Sequence, residues 1–229
     1  MSKVHMQMVK CSACGQESPH KVWDMIDPMF DRSVKDQILS GELFTFHCPH
    51  CGHKETMVYD TSYQEMDKGR YFELVTSTES YERAINLYAE RDLHSGSVLA
   101  NEIIRIVLSP NQLAEKIRIF DEGLDDRVVE AFKLGFLARI WEEDENFEAD
   151  ECLFYKKNDE EYAVAFLGTN LGYGPEMIFP REGYDMMYAE LKDHLPPIYQ
   201  EIEVDMETVQ EYLDFLEEQM NENPEGSFE

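Results

Sequence analysis

The chain has 229 residues, with 20 Lys plus Arg against 48 Asp plus Glu and a formal net charge of −28. That length fits one large domain or two small ones, and a hydrophobic share of 43% supports a packed core. Charged residues at 30% exclude a membrane-dissolved chain. No stretch approaches the ~20 apolar residues of a spanning helix, and residues 1–7 lack the apolar run of a secretory signal. So acidic a chain repels nucleic acid and anionic lipid unless its charge is segregated. The composition predicts a soluble cytoplasmic protein with no membrane role.

In chain order, residues 4–10 and 20–26 are predicted strands, and Asp27-Pro28 breaks the second. Asp31 or Ser33 can cap a short helix that places Val34, Ile38 and Leu39 on one face and ends at Gly41. Residues 42–47 are an expected aromatic strand, followed by strands over 54–60 and 70–75. Tyr81, Ile85, Leu87 and Tyr88 recur at roughly helical spacing within residues 78–93, which Gly96 interrupts. Residues 102–108 are rich in β-branched side chains and predict a strand, with a helix as the alternative. Ser109-Pro110-Asn111-Gln112 starts a helix that places Leu113, Ile117 and Phe120 on one face and stops at Gly123.

Asp125 can cap the next helix, whose apolar face carries Val128, Val129, Phe132, Phe136, Ile140 and Trp141. Strands over 152–157 and 162–167 form a hairpin through Asn158-Asp159-Glu160-Glu161. Residues 168–180 are expected as loop and residues 184–195 as helix, which Pro196-Pro197 ends. A last amphipathic helix over 206–220 aligns Met206, Val209, Leu213, Leu216 and Met220. The fold class is α+β. A zinc-ribbon-like β-rich domain with a four-cysteine metal site spans 1–109, a helical/α+β acidic domain spans 110–222, and residues 223–229 are an expected disordered tail.

Four of the five cysteines form two pairs, Cys11-Ser12-Ala13-Cys14 and Cys48-Pro49-His50-Cys51, each followed by glycine. A two-residue gap lets a tight turn aim both sulfurs at one ion. The glycine can take the left-handed backbone that the turn requires. Four thiolates favour Zn²⁺ in tetrahedral geometry at about 2.3 Å, so Cys11, Cys14, Cys48 and Cys51 are the candidate metal ligands. Iron of the rubredoxin type uses the same ligands, and spacing alone leaves iron open. Disulfides are disfavoured without an export signal. A redox pair explains one C-x-x-C but not the second.

His47, His50 and His53 surround the second knuckle and are read as exposed or supporting residues, since cysteine already fills four places. Cys152 stands alone beside Asp150 and Glu151. Their negative charge opposes a thiolate, so it is read as a small buried hydrophobe.

Cys48-Pro49-His50-Cys51 resembles the C-P-x-C motif of the CpXC domain family. Val22-Trp23-Asp24, Ile38-Leu39-Ser40-Gly41-Glu42-Leu43-Phe44 and Phe120-Asp121-Glu122-Gly123-Leu124-Asp125-Asp126-Arg127-Val128 are similar to that family too. The first pair departs from it by lacking the proline. The resemblance implies a four-cysteine site and supplies no reaction.

A four-cysteine site is closed, so no water is activated there. The chain also lacks the phosphate loop, the nucleophile elbow and the H-E-x-x-H zinc signature. No catalytic residue is assigned. The leading expectation is a zinc-stabilised, non-catalytic module that binds another protein. The acidity is uneven: residues 1–77 hold 8 basic and 11 acidic side chains, residues 78–229 hold 12 and 37. It is read first as a well-solvated surface, with a docking face for a basic partner, or a mimic of nucleic acid, as the sharper alternative. The alternatives are an enzyme whose site lies in the C-terminal region, around Asn170, Tyr173 and Arg181, and a redox sensor based on the thiolates and zinc. Nucleic-acid binding would need Lys10, Lys21, Lys35, Lys54, Lys68 and Arg70 to share one face, and ranks last.

Overall fold

The computed structural model describes residues 2–89, 102–168 and 172–222. They belong to two compact units, Met1–Arg118 with Pro196–Ile202, and Ile119–Leu195 with Glu203–Glu229. The architecture is mixed α+β, with a β-rich N-terminal region and helices in the C-terminal part. Among the described residues no helix is long and apolar enough to cross a membrane. The tail expected over 223–229 lies outside the described residues.

In the first unit β1 (Lys3–Lys10) and β2 (Glu17–Ile26) form an antiparallel hairpin, Lys10 opposite Glu17. Asp27 turns the chain by accepting the Met29 amide at 3.1 Å. Helix α1 (Arg32–Leu39) starts where the Asp31 carboxylate accepts the Ser33 amide, and it buries Val34 and Ile38. The strand expected over 42–47 is split. Glu42–Phe44 form a single 3-10 turn, and only Thr45–His47 (β3) are extended. The reason is burial: Leu43 and Phe44 are adjacent and both buried, whereas a strand sends neighbours to opposite faces.

The return strand β4 (Lys54–Thr56) is shorter than expected because β3 offers three residues to pair with. Next come β5 (Thr61–Glu65), which the sequence reading passed over, β6 (Arg70–Leu74), α2 (Thr78–Ala89), β7 (Ile103–Val107) and α3 (Pro110–Asp121). The predicted interruption at Gly96 and the helix beyond Ala89 lie outside the described residues.

The main sheet runs β1-β2-β5-β6-β7. Pairs β2/β5 and β6/β7 are parallel, so each needs a crossover connection of the kind a helix supplies. Val75, Ala84 and Ile106 pack together with Tyr81 and Ile85, while Tyr71, Tyr88 and Ile104 form a second cluster. Leu87, predicted on this helical face, is instead 64% exposed. Ser109 Oγ accepts the Gln112 amide to open α3, and Gln112 Oε1 accepts the Leu108 amide.

Polar groups fasten elements distant in sequence. Glu65, 7% exposed, receives Lys35 Nζ at 2.9 Å, Lys68 Nζ at 3.0 Å and Arg70 at 3.4 Å. Burial pushes its carboxyl up, but the hydrogen bonds and charges of Lys35 and Lys68 outweigh this and hold it below the usual carboxylate range. Arg105 is fully buried on β7 and donates to the carbonyls of Ile104, Ile198 and Glu201. With the Ile106 amide on Ile202 O at 2.8 Å, it secures Pro196–Ile202 alongside β7. The Arg118 guanidinium donates to the Leu39 carbonyl at the end of α1.

In the second unit α4 (Asp126–Glu143) is capped by Asp125, which accepts the Arg127 amide. Strands β8 (Glu151–Lys156), β9 (Glu161–Gly168) and β10 (Gly172–Pro180) form an antiparallel sheet ordered β10-β9-β8. Helices α5 (Arg181–Leu191) and α6 (Met206–Glu222) complete the unit. Its core gathers Val128, Val129, Phe154, Val164, Phe166 and Phe179, with Phe132 stacked on Phe179 at 4.4 Å.

Two expectations are corrected. Residues 172–180 are a strand, not a loop, because the backbone at Gly174 comes so close to β9 that a Cβ there would sit 2.6 Å from Phe166 O. Gly174 serves that approach rather than a turn. Trp141, expected on the buried face of α4, is 48% exposed, and its indole N–H donates to Phe147 O at 3.0 Å.

Gly174→Ala is expected to lower the urea midpoint, whereas Gly135→Ala, in α4 with open space around its Cβ, should stabilise by about 1 kcal/mol. Glu65→Gln should cost on the order of 2 kcal/mol at pH 7. Because the folded Glu65 carboxyl is held low, that stabilisation is complete above the ordinary pKa of 4.5 and fades as pH falls below it. Unfolding curves of wild type and variant should therefore converge in acid; a gap that stays constant down to pH 3 would contradict the assignment.

Candidate metal centre

The two knuckles are built alike. Cys11 N–H donates to Gln16 O at 3.0 Å and Gly15 N–H to Cys11 O at 2.9 Å. Cys48 N–H donates to His53 O at 2.8 Å and Gly52 N–H to Cys48 O at 2.9 Å. Gly15 and Gly52 have φ of 72° and 75°, the left-handed backbone that a side chain disfavours. The first knuckle is the tip of the β1–β2 hairpin and the second the tip of β3–β4. Val9 and Phe46 each precede a knuckle by two residues, and they pack with Cys11, Cys48 and Met57 in one small core.

This brings four sulfurs together within 4.8 Å of one another. Cys11 Sγ lies 3.7 Å from Cys51 Sγ, and Cys14 Sγ lies 3.7 Å from Cys48 Sγ, both pairs crossing between knuckles. A tetrahedron with arms of about 2.3 Å has edges of about 3.8 Å, which the two crossing pairs match, so the cluster is compatible with a metal ion. Cys11 and Cys48 are buried, while Cys14 and Cys51 face solvent. Among the described residues no other set of three or more His, Cys, Asp or Glu side chains meets in this way.

The thiols perturb one another. At Cys48 burial raises the thiol, but the amides of Cys51 and His50 and the sulfurs of Cys11 and Cys14 bring it down to about 7. At Cys51 the His53 amide favours the thiolate, yet burial and the other three sulfurs push it up to about 12. At Cys14 the Gln16 amide also favours the thiolate. Burial and the hydrogen bonds to Cys48 and Cys11 outweigh it, so this thiol too is raised. One negative charge forms readily in the cluster and the next is opposed by the first. A cation at the centre would reverse that opposition.

Two bridges between the knuckles were not apparent from the sequence. Ser12 Oγ lies 3.1 Å from His53 Nε2, and the Ser12 amide donates to Glu55 Oε1 at 3.3 Å. The Ser12 hydroxyl and amide hold the Glu55 carboxyl below its usual range. Spacing carries no signal for such cross-hairpin pairs. His47 Nε2 instead pairs with Glu42 Oε1 at 2.7 Å, and His50 sits exposed inside the knuckle turn.

The remaining candidates go elsewhere. Cys152 is buried on β8 in the core of the second unit. Arg181 donates to Tyr162 Oη at 2.7 Å and to Asp185 Oδ1 at 3.3 Å. Tyr173 belongs to β10, and Asn170 lies outside the described residues. Of the six basic residues considered for nucleic acid, Lys35, Lys68 and Arg70 converge on Glu65, while Lys21 Nζ lies 3.8 Å from the Trp23 ring centroid.

A family model described as CpXC protein matches residues 9–133, more than half of the chain and inclusive of all four clustered cysteines. No curated protein matches the chain, and no solved structure does.

Gly52→Ala meets no neighbour within 4 Å, so its whole cost is the positive φ, about 1–2 kcal/mol. Thermal unfolding monitored at the second knuckle should show that loss with the sulfur cluster still able to form; an unchanged midpoint would mean that the turn is not held in the left-handed conformation.

Proposed function

The chain belongs to the CpXC family, and we propose that it acts as a non-catalytic protein-interaction module held in shape by a structural zinc ion on Cys11, Cys14, Cys48 and Cys51. The observation that carries this reading is the meeting of four sulfurs from two hairpin tips at tetrahedral distances. When bound, the ion supplies folding free energy on the order of 10 kcal/mol. With four protein ligands it keeps no open position for a reacting water. Cys11 and Cys48 anchor the site in the small core with Val9 and Phe46, and Ser12 ties the first knuckle to His53 and Glu55 of the second hairpin.

The interaction role draws its support from charge. Residues 78–229 carry 37 acidic against 12 basic side chains, a field that attracts a basic partner and repels nucleic acid. A reducing cytoplasm is the compartment in which four free thiolates persist as ligands.

Elemental analysis of the purified chain is expected to return one zinc per polypeptide. Cys48→Ser should lose it, and Cys152→Ser, with its sulfur in the second unit, should keep it. Chelation should raise hydrogen exchange in both hairpins, and metal affinity should fall with falling pH, more steeply below about 7, where the readiest thiolate is protonated too. A metal-free chain with both hairpins fully protected would defeat the zinc reading. Repeated affinity capture with no partner, alongside substrate turnover in an activity screen, would defeat the interaction reading.

A further inference from the structure

Beyond the span of the family match, the second unit carries a cavity of about 360 Å³. Its apolar lining comes from Leu137, Trp141, Phe147, Cys152, Phe166 and Met206. Local hydrogen bonds fix the turn that leads into the cavity lining. Asp144 accepts the Phe147 amide on its carbonyl at 3.1 Å and the Asn146 amide on its carboxylate at 3.1 Å, closing a turn after α4. Trp141 Nε1–H fastens that turn by donating to Phe147 O, and Phe147 stands edge-on to Phe166 at 5.9 Å. With its N–H engaged and the residue half exposed, the Trp141 indole offers an incoming group apolar surface rather than a hydrogen bond.

The surroundings select for charge. Residues 142–151 contain seven carboxylates and no Lys or Arg. Glu148, Asp150 and Glu151 belong to the cavity lining itself. The volume lies at the small end of the roughly 300–1,000 Å³ of ligand sites, room for an apolar side chain together with the peptide backbone that carries it. Anionic ligands and nucleic acid are repelled by this rim. An apolar cavity with carboxylates in its lining and along the adjoining chain is complementary to an apolar side chain flanked by cations.

We propose that this cavity is the docking site for a short basic segment of a partner protein, which seats one leucine-like side chain against Trp141 and Phe166 while its Lys and Arg residues lie over the carboxylates of residues 142–151. The inference rests on the interaction-module reading and gives it a place and a partner chemistry. The buried anchor supplies most of the affinity. The rim charges set the association rate and the salt dependence.

The test uses the full-length, metal-loaded chain and a fluorescein-labelled heptapeptide with a central leucine between two Lys-Lys-Arg flanks. In fluorescence anisotropy the leucine peptide is expected to bind at least about tenfold tighter than its serine counterpart. A peptide with glutamate flanks should not bind, and raising salt from about 50 to about 300 mM should weaken the leucine peptide severalfold. Ala149→Trp, which places an indole in the cavity lining and keeps every carboxylate, should reduce the leucine peptide to the level of the serine one. Equal binding of leucine and serine peptides to the wild type would overturn the proposal whether or not the variant folds. So would unchanged leucine-peptide binding by a folded Ala149→Trp chain. A basic partner captured from host extract equally by wild type and Ala149→Trp would leave the interaction reading standing and remove this site.

Discussion

Four sulfurs within 4.8 Å of one another are the constraint from which the N-terminal end of the molecule takes its shape. The hairpin β3–β4 pairs only three residues on each side, and a two-stranded hairpin of that size is marginal in water. The apolar cluster beneath it is small: Val9, Phe46 and Met57 besides two of the cysteines. So little buried area gives a weak hold on its own. What joins the hairpins is therefore the sulfur cluster, with the Ser12–His53 and Ser12–Glu55 bridges across its rim. As bare thiols the cluster resists full ionisation, with Cys48 drawn down to about 7 and Cys51 driven up to about 12. Geometry that gathers four acidic protons around one point, and electrostatics that oppose releasing them all, are together compatible with a site that holds a positive charge.

Elsewhere in the first unit, polar anchors join segments that lie far apart in the chain. Glu65 gathers cations from α1, from the turn after β5 and from β6. Arg105 holds carbonyls nearly a hundred residues downstream, and Arg118 closes the end of α1. Each places an ionised group in a poorly hydrated site, where desolvation is costly and only dense hydrogen bonding offsets it. Such groups are poor sources of net stability. They are strong selectors of one arrangement over others, because a slipped register would leave a charge buried and unpaired.

The parts of this architecture that were legible in the sequence are those governed by local rules. The knuckles, the Asp31 and Asp125 caps, the Ser109-Pro110 helix start and the β8–β9 hairpin each depend on residues within five or six positions. Each formed where those residues placed it. The misreadings have non-local causes. Gly174 reads as loop because its reason, close approach to Phe166 on a neighbouring strand, is invisible along the chain. Strand β5 was missed because Thr61-Ser62-Tyr63-Gln64-Glu65 buries Thr61, Tyr63 and Glu65 on one face, and two of those three are polar. The return of Pro196–Ile202 to the first unit depends on one buried guanidinium on β7, and no spacing rule foretells it.

The same distinction bears on where recognition can reside. A knuckle cluster with Cys11 and Cys48 buried uses its sulfurs inward, and the backbone amides around it point at those sulfurs rather than outward. Its chemistry is consumed in holding two hairpins together. The second unit follows a different logic. Its apolar core is continuous from Val128 to Tyr184, so it requires no ion, yet it leaves Trp141 half exposed beside a dense run of carboxylates. The indole N–H holds the turn at Phe147, and the carboxylates beside it make that surface electrostatically complementary to a cationic group.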